Sequence, residues 1–124
     1  MPSKEQMIAT FNDFWAAVDA KDVDRILSNM AEDAGFEDPV GSPVLKGHGE
    51  LRKFFDGMSE AFETVSVSRD KVYPCANQVG LVWTISGRMT NGRDVTFDGI
   101  DIIKFNEDGK IQALWGYWDP SILE

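Results

Sequence analysis

The sequence has one cysteine and one histidine in 124 residues. A lone Cys75 rules out an intrachain disulfide framework. A lone His48, with no second His or Cys beside it, does not make a metal site. Positive charge is also scarce: 12 Lys and Arg stand against 21 Asp and Glu, a formal net charge of −9. Nucleic acid and anionic lipid both require a basic face to neutralise phosphates, so neither is expected as a partner. No run of about 18 apolar residues is present to span a membrane. The opening Met1-Pro2-Ser3-Lys4-Glu5 lacks the apolar stretch of a signal peptide, which makes a cytoplasmic, soluble protein the expectation. There is no Gly-rich phosphate loop or Ser-centred nucleophile elbow, and no cofactor is expected.

What the chain does have is apolar mass. Hydrophobic residues make up 43%, with eight Phe and four Trp, enough for a single domain over residues 1–124 with a substantial core. The first third has helical spacing. Ser3 and Gln6 read as a capping box before Met7, Ile8, Phe11, Phe14, Trp15 and Val18. Asp22 reads as the N-cap of a short second helix carrying Val23, Ile26, Leu27 and Met30. Gly35 to Pro39 reads as a short strand ended by proline, and Val40 to Gly49 as a loop. Leu51, Phe54, Phe55, Met58 and Phe62 mark a third helix.

The period then changes to two. Thr64 to Tyr73, Gly80 to Thr90, Arg93 to Asn106 and Lys110 to Trp118 read as antiparallel strands. Three helices followed by a meandering sheet predict an α+β fold, one helical layer on one curved sheet. Asn91-Gly92 reads as a two-residue type I′ hairpin turn. That turn would pair Ser86 with Phe97, Thr84 with Gly99 and Val82 with Asp101. Strand alternation puts Val95, Phe97, Gly99, Asp101, Ile103 and Phe105 on one face, which is apolar except for Asp101. A carboxyl in such a place is expensive to ionise, so its pKa should rise and it should donate as a neutral acid. A strand-end capping or ion-pairing role would also account for it. Asp38 shares a face with Phe36, although an Asp before Pro is also a common turn former. Two acids on apolar faces suggest proton transfer with their pKa values pushed apart.

These acidic segments resemble those of the bacterial ketosteroid isomerases, in the NTF2-like, SnoaL-like superfamily. Glu37-Asp38-Pro39-Val40-Gly41 is similar to the segment holding that family's general base. Ile100-Asp101-Ile102-Ile103-Lys104-Phe105-Asn106 is similar to the segment holding its second, protonated Asp. Ala17 to Asp24, Ala31 to Ala34, Gly109 to Gln112 and Tyr117-Trp118 follow the family's spacing. The resemblance implies an NTF2-like cone and Asp38 as base with Asp101 as protonated oxyanion donor. It also implies a small hydrophobic substrate, steroid or polyketide-like, and a homodimer. The reaction implied is cofactor-free double-bond isomerisation of a hydrophobic carbonyl compound.

The chain departs from that family at its main oxyanion donor, a helix-one tyrosine whose position is Phe14 here. Two supporting tyrosine positions are Met30 and Phe55. Phenylalanine cannot donate a hydrogen bond. Thr84, Ser86 and the Trp15 indole are therefore the expected replacement donors. The remaining substrate wall is expected from Val82, Phe97, Leu114 and Trp118. The loss of three tyrosines also suits other chemistries of the fold, such as dehydration, aldol cyclisation or epoxide opening. Ligand binding without chemistry is a further alternative.

Overall fold

The computed structural model describes all 124 residues. Helix α1 (Lys4–Asp19) starts where the Ser3 side chain accepts from the Gln6 amide. The reciprocal half of the capping box is not made: the Gln6 side chain instead donates to the Asp108 carbonyl, tying α1 to the far hairpin. Helix α2 (Val23–Ser28) is N-capped by Asp22, and α3 (His48–Ala61) begins after Gly47, whose φ of +86° suits a residue without Cβ. His48 sits in this helix entry, its Nε2 3.0 Å from the Met30 carbonyl oxygen.

The sheet has six strands in the order β2-β1-β6-β5-β4-β3. They are β1 (Met30–Glu37), β2 (Leu45–Lys46), β3 (Phe62–Cys75), β4 (Gln78–Met89), β5 (Asp94–Phe105) and β6 (Ile111–Tyr117). All pairs are antiparallel except β1 with β6, which run parallel. This is the expected α+β cone, with local corrections. β1 starts at Met30, so Met30 leaves helix α2, and the short strand β2 lies inside the expected loop. Phe62 opens β3 instead of closing α3.

The largest correction is the β4–β5 hairpin. A type I′ turn needs positive φ at both central residues. Gly92 has it at +88°, but Asn91 does not. The Gly92 amide donates to Met89, the Met89 amide donates to Arg93, and the Asn91 side chain accepts from the Arg93 amide. The loop is therefore three residues, Thr90 to Gly92, and the register slips by one. Ile85 faces Phe97, Trp83 faces Gly99, and Leu81 faces Asp101. A one-residue slip turns every β4 side chain over. Leu81, Trp83 and Ile85 point into the cone, while Val82, Thr84 and Ser86 take the outer face.

The core lies between the helices and the concave face of the sheet, with Phe11, Phe14, Leu51, Leu81, Ile103 and Phe105 among its fully buried side chains. The outer face leaves Ile100 and Tyr117 more than two-fifths exposed. No helix is long and apolar enough to cross a membrane.

Candidate functional site

Asp38 and Asp101 meet across a single glycine. Antiparallel pairing sets Asp101 of β5 opposite Gly116 of β6. Parallel pairing sets Glu37 of β1 opposite Trp115, so Asp38, the next residue, reaches the other side of Gly116. The Asp38–Pro39 peptide is cis, and beyond it the Val40 amide donates to the Gly116 carbonyl at 2.7 Å, docking this corner onto β6. Gly116 leaves the room that the acids share. A Cβ there would collide with Asp38 Oδ1 and would sit 3.2 Å from Asp101 Oδ1.

Each carboxylate accepts one indole hydrogen bond. Trp118 Nε1 donates to Asp38 Oδ1 at 2.6 Å, and Trp83 Nε1 donates to Asp101 Oδ1 at 2.9 Å. Phe97 stands between the two indoles, edge-on to Trp83 at 5.7 Å and tilted against Trp118 at 5.3 Å. Gly99 makes space for Trp83: a Cβ there would lie 2.7 Å from the indole ring. Glycines at 99 and 116 thus let two bulky rings and two acids share one end of the cone.

The acids open onto a cavity of about 280 Å³. That is close to the lower end of the range for small-molecule sites. Seventeen of its 19 lining residues are hydrophobic, and the other two are Asp38 and Asp101. Any charge or proton handled in this cavity is therefore handled by these two side chains or by an indole. Burial raises both carboxyls above the usual range for aspartate. For Asp101 burial is the largest cause, the nearby Asp38 charge adds to it, and the Trp83 bond opposes; the result is a pKa of about 8. Asp38 is half-buried; burial raises it and the Trp118 bond opposes. With a pKa near 8, Asp101 is mainly protonated at neutral pH.

Of the other residues expected at the site, Phe14, Trp15, Phe55, Phe97 and Trp118 line the cavity. Phe14 and Phe55 pack edge-to-face at 6.3 Å, so two of the three tyrosine positions form an aromatic wall. Met30 and Leu114 are buried but lie in the core outside that lining. Val82, Thr84 and Ser86 do not line the cavity, because the three-residue turn puts them on the outer face. Thr84 donates instead to Asp70 at 2.7 Å. Trp15 is 7% exposed and its Nε1–H is buried without a hydrogen-bond partner. Trp83 escaped the sequence reading, since the assumed turn length had placed it on the outer face. No group of three or more His, Cys, Asp or Glu side chains is gathered to hold a metal ion.

Known proteins share this architecture. The chain is 27% identical over 97 residues to a steroid Delta-isomerase of Nocardioides simplex, covering 77% of this chain and 75% of that one. A Mycobacterium tuberculosis protein solved in complex with estradiol-17beta-hemisuccinate superposes with a TM-score of 0.84 at 22% identity, over 94% of this chain and 96% of that one. The epoxide hydrolase/cyclase-like enzyme SalBIII, of pyran ring formation in the polyether salinomycin, superposes with a TM-score of 0.88 at 21% identity, over 98% and 97% of the two chains. The SnoaL-like domain model matches residues 11–114. The chain is a member of the SnoaL-like domain family and has the NTF2-like fold.

Proposed function

We propose that this protein is a cofactor-free enzyme that moves a proton on a hydrophobic carbonyl compound, with Asp38 as base and Asp101 as neutral hydrogen-bond donor. One observation carries the reading: the only two ionisable side chains of an apolar cavity face each other across Gly116. The raised pKa of Asp101, about 8, supports it. A base and an acid whose environments separate their pKa values can work side by side at one pH. Ketosteroid isomerase is itself the known case of this pattern, so the parallel lends support by analogy.

In the proposed reaction the Asp38 carboxylate removes a proton from the carbon α to a ketone. The electron pair moves into the carbonyl, and the enolate oxygen accepts a hydrogen bond from the Asp101 O–H. The Asp38 carboxylic acid then returns the proton at the far end of the conjugated system, restoring the carboxylate. The reaction is a redistribution of one proton and one double bond, with no net oxidation. The similarity to a steroid Delta-isomerase supports a steroid-like β,γ-unsaturated ketone as the substrate. The test is ultraviolet absorbance on mixing the protein with a β,γ-unsaturated 3-ketosteroid. Growth of the conjugated enone band above the uncatalysed rate supports the reading. Tight binding of the ketone with neither isomerisation nor exchange of its α proton in deuterated water would leave a binding protein.

Epoxide opening or cyclisation is the second reading, favoured by the fold match to SalBIII and by phenylalanine at the position of the usual donor. Turnover of an epoxide by a protein that leaves the ketone unchanged would establish it. A homodimer through the outer sheet face, where Ile100 and Tyr117 are exposed, belongs to the same proposal. Sedimentation equilibrium at twice the 13.9 kDa chain mass supports it, and the mass of a single chain overturns it.

A further inference from the structure

We propose that Trp83 is a positioning residue that fixes which oxygen of Asp101 carries the proton, leaving Oδ2–H as the donor offered to a ligand. The inference rests on the reading of Asp101 as a hydrogen-bond donor, and extends it to a residue outside the acid pair.

An indole N–H only donates. Trp83 Nε1 lies 2.9 Å from Asp101 Oδ1 in a fully buried bond, so Oδ1 is committed as an acceptor in either protonation state. When Asp101 is neutral, its proton therefore resides on Oδ2, which has no hydrogen-bond partner within the protein. The ring cannot drift from this place. Its outer carbons lie over Gly99, it packs nearly perpendicular to Phe97, and the residue is 3% exposed. Trp118 treats Asp38 in the same way, taking Oδ1 and leaving Oδ2 free. The two Oδ1 atoms that approach Gly116 are each held by an indole, and neither Oδ2 atom has a partner within the protein.

Trp83 also favours the ionised form of its partner. Asp38 is the one titratable group that shares the cavity wall with Asp101; no cation lines it. The indole is thus the only feature acting on Asp101 to favour the anion, against burial and the Asp38 charge. Without it, the Asp101 titration should move further upward.

The test is Trp83→Phe, which keeps an aromatic ring beside Phe97 and removes the N–H. The expected result with a β,γ-unsaturated 3-ketosteroid is a fall of about tenfold in kcat with KM nearly unchanged, as expected for a misdirected donor. The alkaline limb of the rate profile should move to higher pH, in step with the Asp101 carboxyl titration followed by carbon-13 NMR in the free protein. A titration and an alkaline limb that both stay at their wild-type positions would overturn the proposal. A second measurement needs neither the variant nor turnover. In the wild-type protein the Trp83 indole N–H proton and nitrogen resonances should shift with pH at the Asp101 midpoint; resonances that do not respond would overturn it equally. If the ketone is never turned over, the reaction reading fails, and the indole titration still decides the role of Trp83.

Discussion

Replacing Asp38 by asparagine is expected to lower isomerisation of a β,γ-unsaturated 3-ketosteroid by about 10²–10⁴-fold, the usual contribution of a positioned base. The amide keeps an oxygen to accept from Trp118 Nε1 and fills the same space beside Gly116, so folding should survive. It cannot take a proton. The change also removes the negative charge that helps hold Asp101 neutral, so the Asp101 titration should move down toward the ordinary aspartate range. Rate and titration therefore report on the same replacement by independent routes. Unchanged turnover in Asp38→Asn would remove Asp38 from the chemistry.

The second large effect is expected at a residue with no functional group. Gly116→Ala puts a methyl where Asp38 Oδ1 now sits, 2.8 Å from Asp38 Cγ and 3.2 Å from Asp101 Oδ1. The atoms in the way are ends of side chains, so the backbone can stay in place and the Asp38 carboxyl must swing aside. Overpacking of this kind costs about 1–3 kcal/mol of stability. A displacement of about 1 Å in a reacting group can cost about 10²-fold in rate. The expected variant is folded, modestly less stable in thermal melts, and about 10²-fold slower. Full activity in Gly116→Ala would mean that the acids work without the close approach seen here.

The parts of this site legible in the sequence are those that depend on alternation within one strand. Asp101, Phe97 and Ile103 share a face because side chains alternate, whatever strand lies alongside. The face presented by β4 depended on the length of a turn, and one residue decided between Thr84 and Trp83. Asn-Gly reads equally well as the centre of a two-residue loop or as the end of a three-residue one. Only the φ at Asn91 separates them. The meeting of Asp38 with Asp101 was beyond local pattern, because it depends on the parallel pairing of β1 with β6, whose partners lie some 80 residues apart. The family resemblance supplied that contact. Met30 and Leu114 show the limit of apolar pattern: it identifies burial, and it does not separate a cavity wall from the core behind it.

The raised carboxyls also set a pH dependence. A carboxyl with a higher pKa folded than unfolded means that the native state holds more protons than the unfolded one between those values. Stability should therefore decline as pH rises from about 4 to about 8, and level off above. The rate should peak in the window where Asp38 is ionised and Asp101 is not. Both expectations stand on a division of protonation between the two acids. Carbon-13 NMR titration of the aspartate side-chain carboxyls in the free protein tests that division most directly. The expected spectrum has one buried carboxyl that remains protonated at pH 7 and titrates near 8, lost in Asp101→Asn, with Asp38 losing its proton at lower pH. Asp38 and Asp101 both already ionised at pH 6 would contradict it.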